Sequence, residues 1–447
     1  MSSTRLNKTI EEVVRNELCT GCGTCVSLCP NSAIKLIKNN FEGIYIPKFN
    51  KEKCDQCGIC FRACPGHSVD YKQLNLEIFG KEPENILVGT YINCYIGHAA
   101  DHDIRYNSAS GGLVTSLLIF ALEEGIIDGA LVTKMSDNNP LEPEVLIART
   151  KEEVLSASKS KYCPVPANIP LKEILESEKD EQFAVVGLPC HINGIRKAEM
   201  INEKIKEKIA LHIGIFCGHS VNFLGTEFLL QQMNIKKEDV KKIDYRGEGW
   251  PGTMLIKLKN DEERFIPYLK YWDKGFGLYF LPTRCMLCCD GTCELSDISF
   301  GDPWLPEFGN EKIGESIIIS RTKIGEEILK NLKFRKKIEL IEITDDKVVE
   351  SQERMLYTKK SDLKARIYIF KIFGKEAPTY NTELLKPKSS AYLNAIILYL
   401  QSSISSKRCL WSLIRIYILL KPYTIGALLK CVSFCLNKVR GILRCPP

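Results

Sequence analysis

CTGCGTCVSLCP, at residues 19–30, returns as CDQCGICFRACP at residues 54–65. Both stretches follow the spacing C-x2-C-x2-C-x3-C-P, and the second begins 35 residues after the first. Short loops of this kind bring three thiolates to one face of a metal centre, and the proline stiffens the chain where it leaves the loop. The repeat therefore predicts two related cysteine-rich loops that organise the fold of the first part of the chain.

The spacing is that of bacterial ferredoxins. In these, the first three cysteines of one run hold a [4Fe–4S] cluster and the fourth ligates the other cluster. A single run would also suit zinc, but two tandem runs, each ending in proline, favour two clusters. We therefore expect a ferredoxin-like domain at residues 1–72 that transfers single electrons. Its predicted metal ligands are Cys19, Cys22, Cys25, Cys29, Cys54, Cys57, Cys60 and Cys64.

The composition is that of a globular protein with room for two or three domains. The chain has 447 residues, of which 45% are hydrophobic and 26% charged, and 20 are cysteines. Residues 1–17 contain no apolar stretch typical of a secretory signal, so a disulfide framework is not expected. We expect a cytoplasmic protein of a reducing, anaerobic cell.

The net charge of +6 at pH 7 is concentrated near the C-terminus. No acidic residue follows Glu383, whereas ten lysines and arginines do, which leaves residues 1–383 at −4, ten below the whole chain. A mildly acidic body argues against a nucleic-acid partner. The tail, residues 391–447, mixes basic residues with two apolar stretches, each too short to span a bilayer. It is either a basic amphipathic segment at the inner face of an anionic membrane, or a set of helices docked on the body or on a partner subunit.

The middle of the chain alternates predicted strands and helices, which indicates an α/β region with a largely parallel sheet. Buried strands are predicted at 126–133, 183–187 and 209–216, and helices at 112–124 and 221–233.

The predicted fold is α/β, or α+β overall: a small ferredoxin-like domain followed by a larger α/β domain. After residues 1–72 we expect a linker at 73–90, the larger domain at 91–350 and a C-terminal extension at 351–447. Cys190 and Cys217 directly follow predicted strands, at the edge where open α/β sheets bind cofactors.

A second cysteine-rich segment lies at residues 284–293, where Cys285 and Cys288 have the C-x2-C spacing of two ligands on one metal or cluster. Two more ligands are needed. Cys190 and Cys217 are natural candidates, Cys289 and Cys293 compete with them, and zinc remains an alternative to a cluster.

Several small-residue and glycine-rich segments suggest a bound anion or ring. Residues 107–112 (NSASGG) run into a predicted helix whose N-terminus could face a phosphate. Residues 158–162 (SKSKY) offer two cations and an aromatic ring. Arg246 in a glycine-rich loop and Asp302 before a proline are further candidates. Each segment alone is more often an ordinary turn or loop.

Taken together and in this order, the motifs resemble the coenzyme F420 hydrogenase/dehydrogenase beta subunit family. F420 names a deazaflavin coenzyme. With its N-terminal two-cluster domain, the architecture resembles that of the electron-input subunit of F420 dehydrogenase. The matching segments are SASGG (108–112), SKY (160–162), VGLPC (186–190), FCGHS (216–220), YRGEGWPG (245–252), CMLCCD (285–290) and ELSDISFGDPW (294–304).

The resemblance implies an oxidoreductase with bound FAD and a third [4Fe–4S] cluster in the larger domain. His191, where the family usually has glutamine, and Cys163 after SKY depart from the family pattern and put the substrate in doubt. The implied flavin residues are Ser108, Ser110, Gly111, Gly112, Lys161 and Tyr162. The ligands favoured for the third cluster are Cys190, Cys217, Cys285 and Cys288.

The implied function is electron transfer between a hydride-carrying coenzyme, with F420 expected, and one-electron carriers. A deazaflavin delivers two electrons as hydride and a cluster accepts one, so FAD is expected between them. The partner would be ferredoxin or another redox subunit, and no catalytic acid or base is identified. One alternative is a ferredoxin-dependent flavin reductase of another small molecule, such as a surface-polysaccharide precursor. Another is an electron-transfer partner subunit without a substrate of its own.

Overall fold

The N-terminal module is built around the two cysteine-rich loops. The computed structural model describes residues 8–178, 180–272, 276–277 and 279–420. Each loop passes through a glycine with a left-handed backbone, Gly23 at φ 91° and Gly58 at φ 72°, which lets a one-turn helix start directly after the second cysteine. The module contains α1 (Ile10–Arg15), α2 (Thr24–Ser27), β1 (Ile34–Asn39), β2 (Ile44–Phe49), α3 (Ile59–Arg62) and β3 (Ser68–Val69).

The rest of the described chain mixes strands and helices. The strands are β4 (Asn93–Ala99), β5 (Gly129–Met135), β6 (Pro143–Ala148), β7 (Phe183–Gly187), β8 (Ile209–Ile215), β9 (Val240–Asp244), β10 (Thr253–Leu258), β11 (Glu263–Pro267), β12 (Ile298–Gly301), β13 (Ser316–Ser320), β14 (Ile338–Ile343) and β15 (Thr379–Tyr380). The helices are α4 (Tyr71–Phe79), α5 (His102–Tyr106), α6 (Leu113–Glu123), α7 (Lys151–Ser156), α8 (Leu171–Glu176), α9 (Pro189–Glu199), α10 (Glu203–Lys208), α11 (Phe223–Gln232), α12 (Tyr268–Tyr271), α13 (Thr283–Met286), α14 (Lys323–Phe334), α15 (Asp345–Lys360), α16 (Leu363–Ile372), α17 (Ser390–Ser405) and α18 (Trp411–Leu420).

Eight strands form one mixed sheet in the order β14-β4-β13-β12-β8-β7-β5-β6. The four central strands β12, β8, β7 and β5 are parallel, whereas every outer pair is antiparallel. The prediction of α/β architecture is confirmed, but the prediction of a largely parallel sheet is wrong. The connection from Met135 to Pro143 shows why, because it is too short for the crossover helix that a parallel pair needs.

Side chains of the central strands alternate between two apolar layers. Ala130 and Ala184 face the layer that contains α6, while Leu131 and Val185 face the layer that contains Ile192 of α9. Helices on both faces bury the parallel strands completely, as such strands require. The carboxyl ends of β7 and β8 therefore emerge side by side at one edge of the sheet.

A smaller antiparallel sheet, in the order β11-β10-β9, packs beside the main sheet with α11 and α12. Its apolar side includes Phe228, Met254 and Tyr271, each at most 1% exposed. The turn between β9 and β10 is the glycine-rich segment 245–252. This small sheet therefore holds one of the family motifs on a rigid support.

Residues 73–90 differ from the linker that the sequence suggests. The segment begins inside α4, where Leu74 is 4% exposed and Asn75 is 2% exposed. Asn75 accepts a hydrogen bond of 2.9 Å from the hydroxyl of Thr90, which fastens the far end of the segment. The two ends of the predicted linker are therefore packed, in α4 and at residues 88–90, whereas residues 80–87 between them are exposed or half-buried.

Asn168 joins the N-terminal module to the larger domain. It is fully buried, and its amide donates to the hydroxyl of Thr24 at 2.8 Å and to the carbonyl of His191 at 2.9 Å. Its main-chain N–H donates to the carbonyl of Cys22 at 2.8 Å, and its own carbonyl accepts from the Ser27 hydroxyl at 2.7 Å. The contact fixes the first cysteine loop against α9.

The C-terminal extension wraps over both domains as helices. The hydroxyl of Ser402 in α17 donates to the carbonyl of Leu281 at 3.0 Å, and Trp411, 4% exposed, packs on Phe228 and Phe280. Through residue 420 the tail is docked on the body, while residues 421–447 of the predicted amphipathic segment lie outside the described residues. Among the helices described, none is long and apolar enough to cross a membrane.

Replacing Asn168 with alanine should weaken the docking of the N-terminal module. Two buried hydrogen bonds from its amide are lost, so we expect the free energy of unfolding to fall by about 1–3 kcal/mol. Urea denaturation of the anaerobically purified protein measures the change. Asn331→Ala, at an exposed position of α14, is the control and should change stability by less than about 0.5 kcal/mol. Equal stabilities of the two variants would contradict this role of Asn168.

Candidate functional site

The eight cysteines of the N-terminal module form two sets, and each set takes one cysteine from the other loop. The inner set lines one recess and consists of Cys19, Cys22, Cys25 and Cys64. The outer set lines a second recess and consists of Cys29, Cys54, Cys57 and Cys60. This is the crossed arrangement that the spacing predicts.

Main-chain N–H groups point at sulfurs of both sets. Such donors stabilise thiolates and tune the potential of a bound cluster, so the loops are already shaped for anionic sulfur. The donor–sulfur pairs are Gly21 with Cys19 at 3.3 Å, Ala33 with Cys29 at 3.2 Å, Gln56 with Cys54 at 3.2 Å and Gly66 with Cys64 at 3.3 Å.

The two sets differ in depth. Cys25 and Cys64 of the inner set are 7% and 5% exposed, and burial raises the pKa of the Cys64 thiol to about 11. In the outer set, Cys54 and Cys57 are only partly buried and flank the exposed Asp55. The outer set therefore lies at the protein surface.

A third set of four cysteines gathers at the edge of the main sheet. Cys190 lies in the first turn of α9 after β7, Cys217 follows β8, and Cys285 and Cys288 come from α13 and the residues after it. The thiol of Cys190 interacts electrostatically with those of the other three. No three His, Cys, Asp or Glu side chains in the described ranges lie close enough to hold one metal ion.

The two cysteines that compete for the third set lie deeper in the protein. Cys289 and Cys293 are fully buried in the apolar layer beneath the sheet, and the Cys293 thiol lies 3.9 Å from the carbonyl of Gly187. Cys289 lies beside Lys360 and Glu294. Burial raises the pKa of the Cys289 thiol, and the positive charge of Lys360 partly offsets that increase. The thiol of Cys190 interacts electrostatically with those of Cys285 and Cys288, whereas Cys289 interacts with Cys288 and Cys293 with Cys217.

A buried ion network fixes the elements that hold the third set. His212 of β8 bonds Glu199 of α9 at 2.6 Å and Asp297, just before β12, at 3.0 Å. Arg196 pairs with both carboxylates, at 3.1 and 3.4 Å. Burial opposes the charge of Glu199, but His212 and Arg196 hold its pKa at about 2. The network therefore stays ionised and ties α9 to β8.

The three sets follow one another through the protein. The thiol of Cys190 interacts electrostatically with that of Cys22, and the thiol of Cys25 with that of Cys60. Gly194 of α9 permits the close approach of Cys190 to the first cysteine loop. A Cβ at position 194 would lie only 2.5 Å from the Thr24 hydroxyl. The order is third set, inner set, outer set.

Three buried cations surround the third set. Arg284 donates to the carbonyls of Pro65, Gly66 and Leu287, at 2.7–3.1 Å, and so links this set to the module. Arg366 donates to the carbonyl of Met286 at 2.6 Å. The third cation is Lys359, at the end of α15 and 3% exposed; it interacts electrostatically with the thiols of Cys288, Cys217 and Cys285. No local sequence signal predicts the burial of Lys359, because two adjacent lysines at a helix end normally face solvent.

The glycine-rich segment 245–252 brings distant motifs together. Arg246, 2% exposed, forms two hydrogen bonds to Asp302, at 2.8 and 3.0 Å, and one to the hydroxyl of Tyr162 at 3.3 Å. The indole of Trp250 donates to the same Asp302 carboxylate at 2.8 Å. Asp302 raises the pKa of Arg246 well above its usual value, although burial opposes the charge. A fixed guanidinium thus lies beside an aromatic ring from the SKY motif.

Aromatic rings connect this segment to the third set. Tyr162 contacts Trp272 with ring centroids 5.1 Å apart, and Trp272 stacks on His219 at 5.5 Å. His219 is two residues after Cys217, and its Nε2 is buried without a hydrogen-bond partner among the described residues. Burial lowers the pKa of His219 to about 4, so its imidazole is neutral.

The other predicted flavin residues make internal contacts. The Ser108 hydroxyl donates to the carbonyl of Ile104 at 2.6 Å, and the Ser110 hydroxyl donates to the carbonyl of Glu315. Gly111 and Gly112 form the tight turn into α6, with Gly112 at φ 76°.

Lys161 also forms its hydrogen bonds within the protein. Its ammonium donates to the carbonyls of residues 157–159 at 2.5–2.9 Å, and burial lowers its pKa to about 7. Of the six predicted flavin residues, only Tyr162 lies in the aromatic group beside Arg246. The family departures are also packed: His191 accepts from Leu188 at 3.1 Å, and Cys163 is 2% exposed.

The crossed sets give a specific expectation for single cysteine variants. Cys64→Ala should lose the same cluster as Cys22→Ala, and Cys29→Ala the same cluster as Cys57→Ala, with about four irons lost each time. Electron paramagnetic resonance spectra of the dithionite-reduced proteins compare the pairs. A Cys64→Ala spectrum that matches Cys57→Ala would contradict the crossing.

Known protein families match the chain in three consecutive segments. Residues 18–68 match the 4Fe-4S dicluster domain. Residues 94–172 match the N-terminal part of the family "Coenzyme F420 hydrogenase/dehydrogenase, beta subunit", and residues 180–346 match the C-terminal part of the same family.

Similar proteins come from methanogenic archaea. The beta subunit of the coenzyme F420 hydrogenase of Methanothermobacter thermautotrophicus is 30% identical over 253 residues, which are 55% of this chain and 82% of the relative. A subunit of the F(420)H(2) dehydrogenase of Methanosarcina mazei is 27% identical over 71% of this chain and 83% of its own length.

One larger relative and one solved structure extend the comparison. The coenzyme F420-dependent sulfite reductase of Methanocaldococcus jannaschii is 29% identical over 75% of this chain but only 49% of its own length. A chain of the F420-reducing [NiFe] hydrogenase complex of Methanosarcina barkeri shares the fold, with a TM-score of 0.53 and 24% identity, over 66% of this chain and 98% of that one. With these matches in the order that the motifs follow, the chain belongs to the coenzyme F420 hydrogenase/dehydrogenase beta subunit family and carries an N-terminal two-cluster [4Fe–4S] domain.

Proposed function

We propose that the protein passes electrons between a hydride-carrying coenzyme and a one-electron partner, through a flavin and three [4Fe–4S] clusters. The observation that carries the proposal is the row of three four-cysteine sets. It starts near the aromatic group around Tyr162 and ends at the partly exposed Cys54 and Cys57. Such a row suits single-electron transfer from a buried site to the surface.

The third set suits a cluster chemically. Its four thiols are enclosed among cations, and Gly218 leaves open space beside Cys217, because a Cβ there would meet no atom within 4 Å. Cys190, Cys217, Cys285 and Cys288 would hold the third cluster.

The aromatic group suits a ring-shaped redox cofactor. FAD, when bound, exchanges electrons singly or in pairs and so links a hydride donor to a cluster. Tyr162 and Trp272 would contact the ring, and the neutral His219, with its unpartnered Nε2, would offer a hydrogen bond. Arg246, held by Asp302, supplies a fixed positive charge that favours an anionic ring or phosphate. Because Ser108, Ser110 and Lys161 are engaged internally, the aromatic group supports the flavin proposal better than the SASGG hydroxyls do.

Coenzyme F420 is the proposed hydride carrier, because relatives named for F420-dependent hydrogenase and dehydrogenase share the motifs. The partner is proposed to be a ferredoxin-like protein or another redox subunit. It would dock where Cys54, Asp55 and Cys57 reach the surface.

Anaerobic titration with reduced F420 tests the function. Flavin absorbance should bleach first and cluster absorbance next. One molecule of reduced F420 should be consumed for every two electrons that the protein accepts. Tyr162→Leu should release flavin and stop the bleaching. Tyr279→Leu is the matched control, since Tyr279 lies at the tail end of the same apolar cluster and contacts Tyr417. Folded protein that contains no flavin, or flavin that no hydride donor bleaches, would refute the proposal.

The third cluster gives a separate expectation. The protein should contain about twelve irons, and Cys285→Ala should contain about eight because only the third cluster is lost. Cys289→Ala is the control and should keep all twelve. Iron and acid-labile sulfide analysis measures both. Eight irons in the unaltered protein would remove the third cluster from the proposal.

For the tail we propose contact with an anionic membrane surface. Leu393, Ile397 and Leu400 are 40–62% exposed along one side of α17, and Ile416 of α18 is 52% exposed. Exposed apolar side chains among basic residues can lie in the headgroup region of anionic lipids. The full chain should float with phosphatidylserine liposomes at low salt, and a variant with Leu393, Ile397 and Leu400 changed to Ser should not. Equal behaviour of the two proteins would leave these helices as packing elements.

A further inference from the structure

The chain leaves the second cysteine loop through a segment that contacts the larger domain. Residues 64–66 of this segment are buried, and Cys64 at its start belongs to the inner set. Two cations of the larger domain donate hydrogen bonds to main-chain carbonyls of the segment: Lys197 of α9 and Arg284 of α13. The segment therefore joins a predicted cluster ligand to positive charges that lie outside the N-terminal module.

Lys197 lies at the carbonyl of the ligand itself. Its ammonium donates to the carbonyl oxygens of Cys64 and Ser68, each at 2.6 Å. Burial lowers the pKa of Lys197 to about 8, and the thiols of Cys64 and Cys22 act in the opposite direction, so the ammonium keeps its positive charge at pH 7. A positive charge is thus hydrogen-bonded to a residue that supplies a sulfur to the inner set.

Arg284 acts on the same sulfur through one peptide group. Its guanidinium is 5% exposed and donates to the carbonyl of Pro65 at 3.1 Å. That carbonyl shares a peptide group with the N–H of Gly66, which donates to the sulfur of Cys64 at 3.3 Å. Successive hydrogen bonds polarise one another, so the guanidinium strengthens the hydrogen bond that the peptide makes to the sulfur.

The first cysteine loop offers an internal comparison, because it has the same spacing but a different exit. Its fourth cysteine, Cys29, belongs to the outer set and also accepts a main-chain N–H at its sulfur, from Ala33 at 3.2 Å. The carbonyl of Cys29, however, accepts from the main-chain N–H of Ser32 at 3.1 Å, within its own loop, and residues 30–32 are exposed. The repeat thus gives both sets the same kind of sulfur contact, whereas the cations of the larger domain act on the exit that serves the inner set.

We propose that Lys197 and Arg284 raise the reduction potential of the [4Fe–4S] cluster held by the inner set. The inference rests on the two clusters of the N-terminal module, which are part of the proposed function, and it needs neither the flavin nor the third cluster. A cluster that accepts one electron gains one unit of negative charge, and it loses that unit when the electron passes to the neighbouring set. Nearby positive charge and hydrogen bonds to the sulfur stabilise the more negative form, so they raise the potential.

Both residues act through a cluster ligand and are therefore positioning residues. Their role requires no contact with the coenzyme and no proton transfer. Two clusters bound by repeated loops of one spacing acquire different potentials, because one loop exit lies against the larger domain and the other lies against solvent.

Lys197→Met, Lys197→Arg and Arg284→Gln test the role in the full chain, purified anaerobically. Each protein is titrated with dithionite at controlled potentials and followed by electron paramagnetic resonance, and comparison with Cys22→Ala identifies the signal of the inner set. Lys197→Met and Arg284→Gln should each lower the reduction equilibrium constant of that cluster about tenfold, which is about 59 mV for a one-electron couple. Lys197→Arg keeps the charge and should stay close to the unaltered protein, and the outer cluster should keep its potential throughout.

Lys208→Met is the matched control. Lys208 is 2% exposed, and its ammonium likewise donates to main-chain carbonyls, those of Ser177 and Glu178. It lies at the end of α10, directly before β8, whereas Cys217 lies beyond the other end of that strand. The control removes a buried ammonium at a distance from the cysteine sets, so it should leave the potentials unchanged.

Unaltered potentials in both Lys197→Met and Arg284→Gln would overturn the proposal. A potential in Lys197→Arg as low as in Lys197→Met would also overturn it, because that result would show a purely structural contact. If the neutral variants lose the inner cluster, the iron content of Lys197→Arg decides. Retention of the cluster in Lys197→Arg would support a need for charge, and its loss would show that only the shape of lysine matters.

This role and the proposed function can fail separately. If reduced F420 bleaches the flavin while the inner potential ignores both cations, only the role of the cations is refuted. If the potential follows the cations but no hydride donor bleaches the flavin, the proposed function fails and the role stands. If the N-terminal module binds fewer than about eight irons, both fail.

Discussion

The hydrogen bonds of Asn168 hold the two cysteine-rich halves of the chain in register. One side chain spans from Thr24, in the first cysteine loop, to the main chain of His191, directly after Cys190. Electron transfer weakens steeply with distance, so a row of redox sites is useful only if its neighbours stay close. Arg284 and Lys197 add to this docking, because their N–H groups donate to main-chain carbonyls around the last cysteine of the module.

Charge is the second constraint on the fold. Under the proposed function, three sets of thiols become negative when they bind iron, and two of the sets lie deep in the protein. The inner set has main-chain N–H groups and the ammonium of Lys197 beside it, whereas the third set has Arg284, Arg366 and Lys359 around it. The ion network of His212, Arg196, Glu199 and Asp297 has two positive and two negative members, so it stabilises the scaffold without adding net charge to the redox row.

Local patterns predicted much of this arrangement. The cysteine spacing indicated the crossed inner and outer sets, and the apolar run at 183–187 matches β7 residue for residue. The antiparallel outer strand pairs were not predicted, because strand direction depends on the length of the connections and not on the strand sequences themselves. Lys359 was missed because its burial comes entirely from the packing of α15, and the internal bonds of Ser108 and Lys161 are likewise set by the fold around them.

In the proposed function, the path of the electrons and the direction in which they flow have different physical origins. The path follows from backbone geometry: β7 and β8 end side by side, Gly194 lets α2 approach α9, and the repeated loops exchange their fourth cysteines. The direction depends on the relative potentials of the three sites, which N–H donors and buried cations adjust without moving a ligand. A family that keeps this path can therefore serve donors or acceptors of different strength by changing a few charged side chains around the third set.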